Sequence, residues 1–455
     1  MISNTICSYI SLLACICFIL ALRGLSSAKT AINGNRFGIA GIVLAFFSLQ
    51  IYINLDIIIA KILIVAIAGG VIGYVVAKKI NMTSLPQLLA GFHSLVGLAA
   101  VFISITSFFC GTNNDTFRSL EIVAGAVIGA VTFIGSIIAF GKLQGIISGK
   151  PLRFRLQKQL NIILGICLIA LIIAFVTKQT PALLTKAIIL AIIIGYMLIM
   201  PIGGADMPVV ISMLNSYSGW ATVGIGLSAN NILLIIVGAI VGVSGAILSH
   251  IMCKGMNRTL LHVLFGNYGA VTAKSTTKNI TQPIKICVPE DASFIIKNAS
   301  SIIIVPGYGM AVAQAQHVIK ELSDKLKTFG ATVKFAIHPV AGRMPGHMNV
   351  LLAEANISND DVFELDDINH EFGSTDVVLV IGANDITNPA AKDDPASPIF
   401  GMPILDVSKA KTVLFIKRTL GSGYAGIDNA LFYKENTMMI LGDAKNVCQE
   451  LIGNF

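Results

Sequence analysis

The sequence has little charge: only 12% of its 455 residues are Asp, Glu, Lys or Arg, whereas 55% are hydrophobic. Soluble globular proteins carry about 25% charged residues, so this composition excludes a wholly soluble protein. The formal net charge of +8 does not indicate nucleic-acid binding, because the basic residues are scattered and lie mostly beside apolar stretches. Charges in such positions commonly set the orientation of a chain in a lipid bilayer.

Paired cysteines are also missing. The eight cysteines include no Cys-x-x-Cys pair, and most lie within apolar runs. We therefore expect small buried hydrophobic residues, with neither disulfides nor metal ligands. The first apolar run, 6–22, has no basic leader and no Ala-x-Ala cleavage site, which favours a retained membrane span over a signal peptide.

Nine segments are long and apolar enough to cross about 30 Å of hydrocarbon. They are predicted near 4–22, 37–54, 56–77, 85–109, 120–141, 159–177, 182–203, 207–228 and 231–252. Basic residues are concentrated after the first, third, fifth and ninth spans. This bias predicts an outside N-terminus and a cytoplasmic C-terminal domain.

Two features of the spans suggest a function. His93 lies in mid-span, and histidine titrates near neutral pH and is suited to relaying a proton; the alternative is a histidine packed against a neighbouring helix. The sequence 222–226, Thr-Val-Gly-Ile-Gly, is one residue type away from the filter of potassium channels. Chance is the favoured explanation for such a short match in a chain with 42 glycines.

Hydropathy falls after residue 252, so the chain is predicted to divide into a membrane domain (1–253), a linker (254–284) and a soluble domain (285–455). In the last part, apolar β-branched runs alternate with helical patterns. Strands are predicted at 301–305, 332–338, 376–381, 412–417 and 437–441, and helices at 311–329, 348–355 and 443–451. This alternation predicts a doubly wound α/β domain of the Rossmann type.

The predicted strands end in residues suited to a dinucleotide. Gly307-Tyr308-Gly309 follows the first strand, where a glycine turn before a helix can direct backbone N–H groups at a phosphate; an ordinary tight turn is the alternative. The second strand lacks the terminal Asp or Glu expected of an NAD site, and His338 and Arg343 suit a 2′-phosphate instead. Lys417 and Arg418 form a candidate phosphate clamp, with a solvated charge pair as the alternative.

Several stretches, each longer than a single motif, resemble one known protein family. They are VPGYGMAVAQAQ (305–316), 338–355, 382–391 and 417–445 in the C-terminal half, and GFHSLVG (91–97), PIGGADMP (201–208) and NSYSGW (215–220) in the membrane half. Through these stretches nearly the whole chain resembles the proton-translocating NAD(P) transhydrogenases. The C-terminal half is similar to their NADP(H)-binding domain, and the spans to the membrane domain of their beta subunit.

The resemblance implies that this chain binds NADP(H), that a separate alpha subunit binds NAD(H), and that hydride transfer is coupled to proton translocation. It also implies a dimer of alpha–beta units in a bacterial-type inner membrane, and a dinucleotide bound in reversed orientation. His93 matches the proton-transfer histidine, and Asn231 (or its neighbour Asn230) a polar partner. Apart from the resemblance, Asp385 follows a strand end near the expected nicotinamide, and a carboxylate in that place is predicted to link the cofactor's redox state to protonation. The residues that match the family's NADP contacts are Tyr308, Val340, Ala341, Gly342, Arg343, Met344, Pro345, Gly382, Ala383, Asn384, Asp385, Ile386, Gly401, Met402, Lys417, Arg418, Thr419, Leu420, Gly421, Ser422, Gly423, Tyr424, Asp443 and Ala444. Gly307 and Gly309 are added to these as cofactor-binding residues because they form the glycine turn after the first strand.

The main alternative is a cation channel or transporter gated by a cytoplasmic nucleotide-binding domain, with 222–226 as its filter. The two hypotheses differ at the cofactor, because a sensor domain need not expose a nicotinamide ring for hydride transfer. The sequence contains no second nucleotide-binding domain, so the transhydrogenase hypothesis requires a partner chain.

Overall fold

The computed structural model describes residues 2–25, 30–52, 56–111, 115–148, 152, 154, 156–203, 206–256, 259–260, 263, 283–343, 346–395, 397, 399–421, 423 and 427–455. The chain divides into two compact units. The first contains Met1–Ile138, Gln159–Met197 and Leu214–Ala246; the second contains Ala139–Lys158, Leu198–Met213 and Ile247–Phe455. Most of the predicted linker lies outside the described residues, so the predicted domain boundaries stay a prediction.

Long helices form the N-terminal half of the described chain, and they follow the predicted spans closely. They are α1 Ile2–Leu25, α2 Ala31–Tyr52, α3 Asp56–Lys79, α4 Leu85–Cys110, α5 Thr116–Leu143, α6 Gln157–Lys178, α7 Pro181–Ile199, α8 Met207–Ser228 and α9 Ile232–Gly255. Seven of these, all except α2 and α8, contain a stretch long and apolar enough to cross a membrane. Helix α8 is more polar, since Ser212, Asn215, Ser216 and Ser218 interrupt its apolar residues.

Glycines let these helices approach to backbone distance. A Cβ atom added to Gly97 of α4 would lie 2.7 Å from the carbonyl oxygen of Gly129 in α5. A Cβ added to Gly219 of α8 would lie 2.3 Å from the amide nitrogen of Gly242 in α9. No side chain fits at either place, so these glycines are required for close helix packing.

The filter hypothesis for 222–226 is wrong. These residues lie inside α8, where backbone carbonyls accept the bonds of the helix itself, whereas a filter turns carbonyls toward the ion. The Thr222 hydroxyl donates to the Ser218 carbonyl at 2.9 Å, and Gly224 packs against Gly125 of α5. The glycines of this segment serve packing.

A buried cation lies at the end of α5. Lys142 is 7% exposed, and its Nζ donates to the carbonyls of Ile199, Met200 and Ile202 at 3.3, 2.7 and 2.8 Å. These carbonyls belong to the end of α7 and to the turn before α8. A lysine at a helix C-terminus is favoured by the helix dipole and supplies donors for unpaired carbonyls.

The C-terminal residues form a six-stranded parallel sheet in the order β3-β2-β1-β4-β5-β6. The strands are β1 Ser301–Pro306, β2 Thr332–Ile337, β3 Val362–Glu364, β4 Val377–Ile381, β5 Thr412–Lys417 and β6 Thr437–Leu441. The helices of this part of the chain are α10 Pro289–Lys297, α11 Tyr308–Val312, α12 Gln316–Thr328, α13 His347–Glu354, α14 Leu365–Ile368, α15 Ala390–Asp393 and α16 Ala444–Gly453. The central strands are buried almost completely, as expected of parallel strands covered on both faces. The predicted doubly wound fold is confirmed.

Several details differ from the sequence prediction. Helices α10, α14 and α15 were not predicted. The single helix predicted over 311–329 is divided into α11 and α12, because Gln314 adopts a left-handed φ of 50° between them. Strand β3 was not predicted: it has only three residues, and its partly exposed side chains give no periodic pattern.

Candidate functional site

The strand order reverses between β1 and β4, and ligands of doubly wound sheets bind at the carboxyl ends of the strands beside such a point. Here the turn after β1 and the turn after β4 are joined by hydrogen bonds between their backbones. The N–H groups of Gly307 and Gly309 donate to the carbonyls of Ile381 and Gly382 at 2.9 and 2.8 Å. Because both donors are used within the protein, neither is available to a phosphate, and in this respect the turn differs from the predicted one.

Glycine is required on both sides of this contact. Gly382 has a left-handed φ of 66°, and a Cβ there would lie 2.4 Å from the Cα of Gly309. A Cβ on Gly307 would lie 2.4 Å from the amide nitrogen of Ala383. The β1 and β4 turns therefore form a compact base made of backbone alone.

The segment after β2 is organised by His338, which is 1% exposed. Its Nδ1 accepts from the Val340 N–H at 3.2 Å, so its Nε2 carries the proton and donates to the Pro403 carbonyl at 2.7 Å. Burial lowers the pKa of His338 to about 4, although the bond to Pro403 opposes the shift. A neutral imidazole therefore joins the β2 loop to the segment around Met402.

Arg343 and Tyr308 come together beside the same loop. The Arg343 guanidinium lies 4.4 Å from the centre of the Tyr308 ring, a cation–π contact. Behind them, the His347 ring lies 6.2 Å from the Tyr308 ring. His347 was not predicted as a site residue. The structure thus joins the turn after β1 to the loop after β2, whereas the predicted Met344 and Pro345 lie outside the described residues.

A polar cluster lies where β4 and β5 end. Asn384 donates through Nδ2 to Asp385 Oδ1 at 3.0 Å and accepts from Lys417 Nζ at 3.1 Å. Lys417 also donates to the Gly421 carbonyl and lies over the Phe432 ring. Burial lowers the pKa of Lys417, and the carboxylates of Asp385 and Asp428 act in the opposite direction.

The glycine-containing loop after β5 folds onto this cluster. A Cβ on Gly423 would lie 2.4 Å from Asp385 Oδ1 and 2.5 Å from Asn384 Nδ2, so a larger residue there would have to displace these two side chains. Ser422 and Tyr424 of the same loop lie outside the described residues, and the described Thr419 and Leu420 precede it.

Arg418 and Asp443 form an ion pair across the ends of β5 and β6, with Nη2 and Oδ2 3.0 Å apart. Asp443 also caps α16, because its Oδ1 accepts from the Lys445 N–H at 3.1 Å. Both side chains of the pair are partly exposed, so the pair contributes little to stability. An incoming anion can therefore compete with Asp443 for Arg418 at small cost.

Two fully buried asparagines hold the polar turn in place, and the sequence analysis missed both. Asn388 donates to the Asp428 carbonyl at 3.1 Å. Asn429 donates to the Asn384 carbonyl at 3.1 Å and accepts from the Leu431 N–H at 2.9 Å. Both are 0% exposed, and the sequence contains no periodic signal that separates them from ordinary turn residues.

The remaining predicted residues of the sheet domain are mostly structural neighbours of the site. Gly401 has a left-handed φ of 77° and donates to the Ala391 carbonyl. Met402 is buried in a small core cluster against which Val340 and Ile427 pack. Four further predicted residues are nearly or fully buried: Ala341, Ala383, Ile386 and Ala444.

In the membrane helices, His93 is half-buried on α4, next to the buried face that includes Ala90, Ser94 and Gly97. Asn231 occupies the start of α9, where its Oδ1 accepts from the N–H groups of Leu233 and Leu234 at 3.1 and 3.3 Å. Among the described residues, no hydrogen bond joins His93 to Asn231. Asn231 is therefore a helix cap, and its predicted role beside His93 stays a prediction.

A family model for "NAD(P) transhydrogenase beta subunit" matches residues 7–454. The chain belongs to this family. Two relatives named NAD(P) transhydrogenase subunit beta, both from Rhodospirillum rubrum and one of them from a defined strain, are each 54% identical over 460 residues. The alignments cover 99% of this chain and 98% of each relative.

Membership of the transhydrogenase beta-subunit family confirms the resemblance found in the sequence and makes the chain a membrane protein of a transhydrogenase enzyme family. The main reason for the channel hypothesis, the short filter-like segment, is already removed by its position inside α8. The polar cluster around Asn384, the Tyr308–Arg343 contact and Arg418 lie at the ends of neighbouring strands, where a doubly wound sheet binds its ligand.

Proposed function

We propose that this chain is the NADP(H)-binding and proton-conducting subunit of a membrane transhydrogenase. The observation that carries the proposal is that Tyr308, Arg343, Asp385, Lys417 and Arg418 stand at one edge of the sheet, in a chain of the beta-subunit family. When bound, NADP(H) supplies the hydride donor or acceptor. NAD(H) is held by a separate alpha subunit, in a dimer of alpha–beta units.

The residues present fit a dinucleotide with a 2′-phosphate. Three cationic side chains, those of Arg343, Lys417 and Arg418, lie along the edge, and the residue that follows β2 is His338 where an NAD site would have a carboxylate. The engaged N–H groups of Gly307 and Gly309 do not suit a cofactor whose phosphates rest on the glycine turn. This agrees with the reversed orientation that the family resemblance implies.

The roles of the side chains follow from their neighbours. Lys417 and Arg418 bind the 2′-phosphate, with Arg418 exchanging Asp443 for the ligand. Asp385, held by Asn384 and covered by Gly423, lies beside the nicotinamide and senses its charge. His93 carries the proton across the membrane domain. Because His93 and the sheet domain are separate sites, their coupling is conformational and reciprocal.

The test uses the full complex, reconstituted with its alpha subunit in vesicles whose sheet domains face the bath. NADPH should reduce an NAD analogue, and a pH-sensitive dye should report proton movement in step with the reaction. His93→Ala should abolish the proton movement and the coupled reaction while NADPH still binds. A matched control, His317→Ala, changes an exposed histidine of α12 and should behave as wild type.

Two results would reject the proposal. Absence of NADPH-dependent reduction in the wild-type complex removes the transhydrogenase function and favours a nucleotide-gated transporter. Normal proton movement by His93→Ala leaves His93 as a packed histidine.

A further inference from the structure

The imidazole of His347 has one nitrogen with a partner and one without. Nδ1 accepts from the Arg343 backbone N–H at 3.1 Å. A nitrogen that accepts carries no proton, so in the neutral ring the proton is on Nε2. The tautomer is therefore fixed by the backbone, and Nε2–H is a donor.

That donor is buried without an acceptor. His347 is 0% exposed, and Nε2 has no hydrogen-bond partner among the described residues. Buried polar groups in native proteins are nearly always paired, and an unpaired one destabilises the fold. An unpaired donor beside a ligand-binding edge therefore points to an acceptor that the ligand brings.

The surroundings hold the ring firmly in this position. Gly342 has a left-handed φ of 105°, and a Cβ there would lie 2.6 Å from His347 Nδ1. The ring also packs beside Tyr308, which carries the Arg343 guanidinium on its face. The ring is thus fixed by the β2 loop at its Nδ1 side and by the β1 turn at its face.

The charge nearby indicates what kind of acceptor is missing. Burial and the positive charge of Arg343 both lower the pKa of His347, to about 4, so the ring is neutral at physiological pH and acts as a donor through Nε2 alone. A cationic neighbour favours an anionic acceptor over a carbonyl. Arg343 ends the described part of the β2 loop and His347 begins α13, and the bond between them brings the two side chains to the same place, so one phosphate group can contact both.

We propose that His347 is a further binding residue for the dinucleotide, and that its Nε2–H donates to a phosphate oxygen of the bound cofactor. The inference rests on the proposed NADP(H) site. It adds a residue that binds through a fixed tautomer, and it assigns to Gly342 the role of making room for the ring.

Two variants separate the two nitrogens. In His347→Asn the amide oxygen takes the position of Nδ1 and can still accept from Arg343, but nothing replaces Nε2–H. In His347→Gln the amide nitrogen reaches the position of Nε2, but the acceptor for Arg343 is lost. The full complex is titrated with NADPH and with NADH, and its thermal unfolding is measured without ligand.

His347→Asn should unfold near the wild-type temperature without ligand and bind NADPH about 10- to 100-fold more weakly, the range expected for one hydrogen bond to a charged group. His347→Gln should bind NADPH more tightly than His347→Asn despite a less stable loop. An equal loss for NADPH and NADH assigns the oxygen to the pyrophosphate, and a loss for NADPH alone assigns it to the 2′-phosphate.

The proposal is overturned if His347→Asn binds NADPH as tightly as the wild type, because the partner of Nε2 is then an internal water or another part of the protein. That result leaves the proposed function intact. Failure of the wild type itself to bind NADPH removes the proposed function instead, so the two failures are distinguishable.

Discussion

Replacing Gly382 by alanine should separate the two turns that meet at the centre of the site. Gly382 follows β4 with a left-handed φ of 66°. An added Cβ would lie 2.4 Å from Gly309 Cα, 2.5 Å from the Met310 amide nitrogen and 2.6 Å from the Gly309 carbonyl carbon. All three atoms are backbone, so no side-chain rotation can relieve the overlap.

The magnitude follows from two costs. The left-handed conformation costs an alanine about 1–2 kcal/mol, and forcing a methyl group into a packed backbone contact costs about 1–3 kcal/mol. Together they reach about 2–5 kcal/mol, which for a domain of this size corresponds to about 4–20 °C in the unfolding temperature. Because the overlap displaces the β1 turn, NADPH binding should weaken as well.

The assay is calorimetry of the purified complex, which follows the transition of the sheet domain, combined with NADPH titration. The matched control is Gly373→Ala, since a Cβ there meets nothing within 4 Å and no positive φ is involved. The control should unfold within about 2 °C of wild type, because surface substitutions away from special features cost no more than about 0.5 kcal/mol. If Gly382→Ala unfolds at the same temperature as the control and binds NADPH normally, the β1 and β4 turns are not in tight backbone contact.

Three further predictions concern charge. Changing Lys417 and Arg418 together to alanine should weaken NADPH binding far more than NADH binding, since each lost charged hydrogen bond is worth about 1.5–3 kcal/mol; equal losses in a titration with both nucleotides contradict the phosphate clamp. Asp385→Asn should lower turnover and leave the unfolding temperature unchanged, and wild-type turnover would reject its role. His338 and His347 have folded pKa values lowered to about 4, below the unfolded value of about 6.5, so the unfolded state binds more protons in between. Stability should therefore be constant above pH ~6.5 and fall toward pH ~4, and thermal unfolding that is flat over this range excludes the two histidines as the cause.

The central architecture was predictable because its signals are local and strong. The apolar runs at 301–305 and 376–381 favour buried strands because they are short and rich in β-branched residues, and the strand–helix alternation then predicts a parallel sheet. The long apolar spans were equally clear. By contrast, β3 is too short to show periodicity, and the division at Gln314 depends on one residue in a left-handed conformation.

The sequence predicted which residues stand at the strand ends of the site. It did not predict the hydrogen bonds and ion pairs that join them. The sequence indicates that Gly307 and Gly309 form a turn, yet only the sheet order brings the Ile381 and Gly382 carbonyls close enough to accept from their N–H groups. Arg418 was predicted as a phosphate ligand, whereas its pairing with Asp443 requires β6 to lie beside β5. Asn429 is positioned by its bond to the Asn384 carbonyl, 45 residues earlier in the sequence. A local sequence pattern cannot indicate a contact between residues so far apart in the chain.

The buried ammonium of Lys142 links the end of α5 to the turn before α8 through bonds to backbone carbonyls alone. Its partners are carbonyl oxygens of Ile199, Met200 and Ile202, which neither gain nor lose protons near neutral pH. Three acceptors also match the three protons of the ammonium group. The junction between the end of α5 and the turn before α8 therefore contains one titratable group, the Lys142 ammonium itself, and it holds as long as that group keeps its charge. Movement of that turn must carry the end of α5 with it, whatever the protonation state of the rest of the bundle.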